Sequence, residues 1–391
     1  MTRLPDDLMQ DSALQRVMEA IEAGGHHAYL VGGAVRNALL GQAVDDMDLA
    51  TDAHPEQVTA LAREAGLKVV PTGIDHGTIT LVTDGRGFEV TTFRRDVETD
   101  GRHAVVAFSS DLAEDARRRD FTMNALYADR AGLVIDPVGG LEDLRARRLR
   151  FVGAPAQRIR EDYLRILRFF RFLAWYGREA DPDAVDACAQ LRQGLSRIAR
   201  ERIGIEFRKL LSAPRPSAAM QLMQTSGVLQ TILPDADGDA LQALFAIEER
   251  TGVAPSWLRR MAALTPPDRD CWDLRLSRAE ARQLQGLLAG SRGEWSLQRA
   301  GYKLGLDAGC DIALLRAANG GMTLHDSWQD DLQAAARARF PIRAADLAAD
   351  LQGPALGRGL RAAEDAWIES GFALPAAALL DIARLAGKEM T

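Results

Sequence analysis

The sequence predicts an α+β fold: a mixed α/β head followed by an elongated, all-helical remainder. Three observations lead there. The chain has 391 residues, too many for one ordinary hydrophobic core. Up to DPVGGLEDL (136–144), short apolar runs of period two alternate with runs of period 3.6. Beyond that point nearly every stretch reads as a helix broken by Gly or Pro, without a fixed-period repeat.

Taken in order, residues 12–24 carry Leu14, Val17, Met18 and Ile21 at helical spacing and stop at Gly24-Gly25. AYLVGGAVRNALLG then reads as an apolar strand, a glycine pair and a short helix closed by Gly41. VDDMDLAT (44–51) reads as a strand that Thr51 ends. HPEQVTALAREAG (54–66) is a helix opened by His54-Pro55. KVVPTG, GTITLVTDG and GFEVTTFR alternate as strands between glycines. RRDVETDGRHAVVAFSSDLAEDA (94–116) reads as a long polar loop with Gly101 and Arg102 near its centre. The helical remainder opens with EDYLRILRFFRFLAWYG and RERIGIEFRKLLSAPRP, and a further break falls near PIRAADL (341–347).

Composition narrows the function classes. Hydrophobic content of 47% and charged content of 26% are those of a soluble globular chain. No apolar run reaches the length of a bilayer span, and MTRLPDDLMQ is not a signal sequence, so a cytoplasmic protein is expected. Cys188, Cys271 and Cys310 are scattered and have no metal or disulfide spacing; they read as small buried hydrophobes. The net charge of −7 argues against nucleic acid as a partner, but arginine concentrates from Arg145 through Arg158, Arg160, Arg165, Arg168 and Arg171. Planar guanidinium suits phosphate and base edges, whereas a solvated helix face is the plainer reading.

Several segments carry chemistry. A strand leading through Gly32-Gly33 into a helix lets backbone N–H groups approach an anion, and Arg36 lies one turn further on. Neither a dinucleotide nor a P-loop pattern is present. In a strand, Asp46 and Asp48 point the same way and Asp45 the other. Two adjacent carboxylates repel unless a cation lies between them, and a pair of carboxylates plus phosphate oxygens is the usual magnesium arrangement. An EF-hand needs a glycine where Thr51 stands, and a DxDxT phosphatase needs a threonine where Ala50 stands. Glu89 is a candidate third carboxylate, or else a strand-edge acid paired with Arg94 or Arg95. RRDFTMNAL gathers Arg119, Asp120 and Asn124, a set suited to a ribose; in isolation it reads as a helix start.

The helix expected over 161–176 has Tyr163, Ile166, Leu167, Phe170, Leu173 and Ala174 on one face. Asp162 and Arg165 lie off that face, three apart. They read either as a surface ion pair or as an acceptor beside a donor fork. The second arrangement matches the exposed edges of cytosine and adenine and opposes those of guanine and uracil.

Together, LVGGAVRNALLG, DDMDLAT, PTGIDHGTITLV, EVTTFRRD, TDGRH, RRDFTMNAL, DPVGGLEDL and EDYLRILRFFRF follow the order of the class II tRNA nucleotidyltransferases (CCA-adding enzymes) and bacterial poly(A) polymerases. The chain resembles that family densely over about residues 28–212, including SRIARERIGIEFRKLL, and faintly again in GPALGRGLRAAEDAWIESGF. The resemblance implies a DNA polymerase β-like nucleotidyltransferase head (1–137), a neck (138–212), a body (213–340) that binds tRNA, and a small tail (341–391). It implies Mg2+ on Asp46 and Asp48, with Glu89 a candidate third catalytic carboxylate. It implies triphosphate binding by Gly32, Gly33 and Arg36, and ribose selection by Arg119, Asp120 and Asn124. Base selection falls to Asp162 and Arg165, with Arg168 in support. The family's usual aspartate after Arg36 is Asn37 here. The activity implied is template-independent addition of CCA to tRNA from CTP and ATP; a poly(A) polymerase is the alternative. PTGIDHGTITLV and the long 94–116 segment favour full CCA addition. No membrane and no protein partner is implied. His325-Asp326 lacks the later ligands of an HD phosphohydrolase, and neither His76 nor His103 has metal-ligand spacing.

Overall fold

A computed structural model describes residues 1–74, 77–100, 103–269, 272–293 and 295–388. Gly101, Arg102, His76 and Cys271 therefore lie outside the described residues. The chain divides into two compact units, Met1–Ile232 and Leu233–Thr391.

The first unit begins with α1 (Asp6–Met9) and α2 (Ser12–Glu22). Asp11 starts α2 by accepting a 2.8 Å hydrogen bond from Leu14 N. Leu14, Val17, Met18 and Ile21 are buried, as the helical spacing demands. Next come β1 (Ala28–Val31), α3 (Gly33–Leu39), β2 (Leu49–Thr51) and α4 (Pro55–Glu64). His54 and Gln57 cap α4: Gln57 Oε1 accepts from His54 N at 2.9 Å. Strands β3 (Lys68–Gly73), β4 (Thr78–Thr83) and β5 (Arg86–Thr92) follow. With the short β8 (Tyr127–Ala128) and β9 (Val134–Ile135) they form one sheet in the order β3-β4-β5-β2-β1-β8-β9. Only β2 and β5 run parallel within it, with Leu49 opposite Val90.

Two expectations are corrected in this region. The strand expected over 44–51 is regular only from Leu49, because ladder pairing with β1 and β5 begins there; the segment before it is irregular. The long loop expected over 94–116 is instead a hairpin, β6 (Arg94–Asp100) with β7 (His103–Phe108), followed by α5 (Leu112–Arg117). Its polar surroundings hid the short apolar run of HAVVAF, whose valines and phenylalanine suit a strand.

The helical part of the first unit contains α6 (Gly140–Ala146), α7 (Pro155–Glu161), α8 (Arg165–Tyr176), α9 (Pro182–Leu191), α10 (Arg200–Leu211), α11 (Ser217–Thr225) and α12 (Val228–Ile232). Strands β10 (Arg148–Leu149) and β11 (Glu179–Ala180) pair in parallel. The single helix expected over 161–176 is broken: α7 ends at Glu161 and Asp162 adopts an extended backbone. The cause is visible, since the Asp162 carboxylate accepts from Leu164 N at 3.0 Å and so substitutes for a helical bond. Aromatic packing fixes α8 against the sheet domain. Phe121 lies 4.9 Å from Phe151 and 5.2 Å from Phe172 between ring centroids, and Phe151 stacks on Phe169.

The second unit contains α13 (Gly238–Thr251), α14 (Trp257–Leu264), α15 (Arg278–Arg292), α16 (Leu297–Ala318), α17 (Trp328–Arg337), α18 (Gly353–Glu369) and α19 (Ala376–Lys388). Inside it, Arg259 is buried and bonds Glu248, which also holds Arg260, while Asp311 takes the other end of Arg259 at 2.5 Å. Leu347, Ala363, Trp367, Leu379 and Ala383 form a separate apolar cluster near the C-terminus. Among the described residues, no helix is long and apolar enough to cross a membrane.

Candidate active site

The site grows from the turn between β1 and α3. Gly32 has φ 65° and ψ −116°, a conformation that L side chains rarely adopt. A Cβ there would also stand 3.2 Å from Arg119 Nη1. The Gly32 N–H is already spent on Leu126 O at 3.1 Å, so the anion-facing amides are those of the first turn of α3 that begins at Gly33.

The β2–β5 register brings the carboxylates together. Leu49 opposite Val90 brings Asp48, the residue just before β2, beside Glu89 of β5. Asp46 stands two residues earlier on the exposed, irregular approach. Local burial, then the negative charge of Glu89 and Asp46, push the Asp48 carboxyl above its usual range; Arg119 opposes this. Asp48 keeps solvent contact, as do Asp46 and Glu89. Three like charges drawn toward an open face are a donor set that suits a hard cation. Among the described residues, no three His, Cys, Asp or Glu side chains enclose a metal by themselves. An ion here fits only if substrate oxygens complete its shell, which is how magnesium is commonly held.

Arg119 is fixed from behind. Its Nε donates to Tyr127 Oη at 3.0 Å and its Nη2 to Asp115 at 3.0 Å, while Tyr127 Oη donates to Asp115 at 2.7 Å. Burial alone would lower the pKa of Arg119, but Tyr127 and Asp115 raise it, so it stays a cation. Its remaining nitrogen faces Gly32.

Asp120 organises the next layer. Its Oδ1 accepts from Phe121 N at 2.8 Å and from Asn124 Nδ2 at 3.0 Å. Its Oδ2 accepts from Arg168 Nε at 3.0 Å and also from Arg168 Nη2. Burial would raise this carboxyl, but Arg168, Asn124 and the Phe121 amide hold it below the ordinary range.

Arg119, Asp120, Asp162, Leu164, Arg165, Arg168 and Arg202 line one open cavity of about 320 Å³. The structure thus gathers five of the predicted residues, but it does not pair Asp162 with Arg165. Asp162 Oδ2 accepts from Arg202 at 2.8 Å. Arg165 Nη1 donates instead to Glu161 at 2.5 Å and to Arg158 O at 2.8 Å. Arg36 departs further from expectation. It is buried, with Nη1 donating to Asn124 Oδ1 at 2.5 Å and Nη2 to Asn37 Oδ1 at 2.9 Å. Its guanidinium lies over the Tyr176 ring at 3.9 Å. Burial lowers its pKa, opposed by Tyr176 and Asp120. In this arrangement Arg36 holds Asn124 rather than a phosphate.

Sequence reasoning missed Arg202, Glu161, Asp115, Tyr127 and Tyr176. Glu161 was readable, since it stands four residues before Arg165. Arg202 and Tyr176 come from distant turns of the chain, and no spacing announces them. His325, by contrast, is a surface residue 3.4 Å from Asp331. Cys188 is buried and Cys310 partly so; burial pushes the Cys310 thiol up to about 11.

Residues 28–150 match the poly A polymerase head domain, and residues 179–239 match a probable RNA and SrmB-binding site of polymerase A. A CCA-adding enzyme of Streptococcus gordonii is 43% identical over 236 residues, which are 59% of this chain and 58% of that protein. The mitochondrial CCA tRNA nucleotidyltransferase 1 of Homo sapiens is 37% identical over 283 residues, 70% of this chain and 64% of the relative. The match thus spans less than two thirds of either curated relative. Among solved structures, the Bacillus stearothermophilus CCA-adding enzyme in complex with CTP superimposes with a TM-score of 0.69 at 28% identity, covering 92% of both chains. The Thermotoga maritima CCA-adding enzyme complexed with tRNA gives 0.71 over the whole of both chains at 19% identity, a likeness of fold alone.

Proposed function

Residues 28–150 carry a poly A polymerase head domain, and from that premise we propose that the chain is a CCA tRNA nucleotidyltransferase, adding C, C and A to a tRNA 3′ end from CTP and ATP. The observation that carries this reading is the β2–β5 register: it sets Asp48 beside Glu89, with Asp46 two residues before it, in a site shared with Arg119 and the Gly32 turn. The cytoplasm is its expected place. The head (1–137) would supply the chemistry and the neck (138–212) the base selection, with body (213–340) and tail (341–391) holding RNA.

Asp46 and Asp48 would hold magnesium, with Glu89 adding negative charge beside them. Bound there, a divalent cation activates a ribose hydroxyl and neutralises triphosphate charge. The chain's own contribution is positioning and charge. First-turn amides of α3, from Gly33 onward, and Arg119 face the triphosphate. Asp120 and Asn124, tied to each other, present polar atoms toward a ribose. Asp162 and Arg165 read the base edge, Arg168 closing the cavity behind them. Arg202 sets the orientation of Asp162, and Glu161 that of Arg165. The RNA 3′-hydroxyl attacks the α-phosphorus in line and pyrophosphate leaves, so no covalent enzyme intermediate is required.

A tRNA transcript ending before its CCA tests this. Two additions with CTP alone, and a third only when ATP is present, are expected. A long ladder with ATP alone would replace the reading with that of a poly(A) polymerase.

A further inference from the structure

The carboxylates of the site stand on unequal supports. Glu89 lies within β5, opposite Thr80 of β4. Asp48 is held from β1, its carbonyl accepting from Val31 N at 3.0 Å. Asp46 has no such ladder. Among the described residues, Val44, Asp45, Asp46 and Met47 make no backbone hydrogen bond. In this stretch only the Met47 side chain is buried, with Arg86 Nη2 3.6 Å from its sulfur. The place of Asp46 therefore depends on what holds the chain just before it.

That hold is Asn37, in the second turn of α3. Its Oδ1 accepts from Arg36 Nε at 3.1 Å and from Arg36 Nη2 at 2.9 Å. Its Nδ2 donates to Ala43 O at 3.0 Å, and its main-chain carbonyl accepts from Gln42 N at 2.9 Å. The amide has one orientation open to it. A guanidinium only donates, so the oxygen must face Arg36 and the nitrogen must face Ala43. Arg36 is itself buried and fixed, bonded to Asn124 and seated over the Tyr176 ring. One side chain thus ties Ala43, three residues before Asp46, to an immobile point of α3. An aspartate, the usual family residue here, could accept from Arg36 equally well. It would set a carboxylate oxygen against the Ala43 carbonyl, acceptor facing acceptor.

We propose that Asn37 is a positioning residue for the cation site: by clamping Ala43 to Arg36 it fixes the arm that carries Asp46 beside Asp48. Magnesium demands near-ideal octahedral geometry, with ligands at about 2.1 Å, so a loosened arm forfeits affinity for it. Asn37 acts through the Ala43 backbone and not by its own charge. The proposal deepens, and rests on, the assignment of magnesium to Asp46 and Asp48.

The test uses the full chain without RNA, and CTP carrying an α,β-methylene bridge, which binds without reacting. Calorimetry follows its binding across magnesium concentration, so the readout is the magnesium midpoint rather than turnover. Asn37→Ala removes the clamp. Asn37→Asp keeps the acceptor for Arg36, and with it the fold, but loses the donor; a melting temperature near that of the wild type checks this. Both variants are expected to raise the midpoint roughly fivefold, the worth of about one hydrogen bond. The aspartate is the sharper case, because an added negative charge on its own would draw the cation in and lower the midpoint. A midpoint that falls, or stays within about twofold of wild type, in either variant overturns the clamp alone. Wild-type binding that does not respond to magnesium overturns the metal assignment and the clamp together.

Discussion

Replacing Asp120 by asparagine removes the charge on which the nucleotide cavity is organised. The Asp120 side chain is only 10% exposed and faces Arg168 through two nitrogens. In Asp120→Asn, one amide oxygen can still serve Phe121 N and Asn124, but the amide nitrogen then meets the Arg168 donors. Breaking a fully buried pair from one side costs about 3–5 kcal/mol. Arg168 is one-third exposed, so solvent takes up part of that loss and about 2–3 kcal/mol is expected near pH 7. The pH dependence follows from the direction of the shift. Asp120 is held below the ordinary aspartate value of 3.8. Its contribution is therefore fully present above that value and disappears as pH falls through the lower, folded-state pKa. Urea unfolding, followed by amide exchange in peptides from α8, reads this at about pH 7, 5 and 3. The difference between wild type and variant should be equal at the first two and smaller at the third. The freed Arg168 should also raise KM for CTP several-fold. A loss under about 0.5 kcal/mol near pH 7, or one that persists undiminished at about pH 3, would refute the assignment of the Asp120 charge as the organising element.

Three other outcomes are expected. Asp48→Ala, or chelation of divalent cations, should lower CTP addition at least about a thousandfold while the dissociation constant for the transcript moves by less than about twofold, measured by single-turnover extension and filter binding. Gly32→Ala places a Cβ at φ 65°, 3.2 Å from Arg119 Nη1; it should cost about 1–2 kcal/mol of stability and more than about tenfold in kcat. Wild-type kcat in that variant would show that Arg119 does not depend on the turn. Arg202→Ala breaks a half-exposed pair and should leave the melting temperature nearly unchanged. It should lower discrimination of CTP over UTP about tenfold in kcat/KM, and unchanged discrimination would remove Arg202 from the site.

Local patterns carried most of the fold. The apolar spacing of α2 and α4, the glycine turn and the alternation of β4 and β5 are properties of contiguous residues, and each became the expected element. Errors arose where side chains compete with the backbone or where partners come from afar. Asp162 breaks a helix whose apolar face runs on without interruption, because its carboxylate bonds Leu164 N. Irregular backbone precedes Leu49 because ladder pairing, not alternation, decides where a strand starts. In the site, five of the predicted residues do share a cavity, yet their pairings differ. Spacing along a helix indicates which residues are neighbours; it does not say that Arg202, 40 residues from Asp162, outcompetes Arg165 for it. Nor does it say that Arg36 turns inward, since the Tyr176 ring that receives it lies 140 residues away in sequence.

The polar chain from Asn37 through Arg36, Asn124 and Asp120 to Arg168 spans from α3 to the nucleotide cavity, with each link a hydrogen bond. Its members have little rotamer freedom left to surrender when a nucleotide arrives, so the entropic cost of assembling the pocket falls at folding rather than at binding. The same rigidity limits adaptation. No arginine on this chain can swing alone to suit a different base without breaking a bond to its neighbour. A change in the shape of the cavity must therefore carry α8 with it, and the phosphate end and the base end of the site feel one displacement.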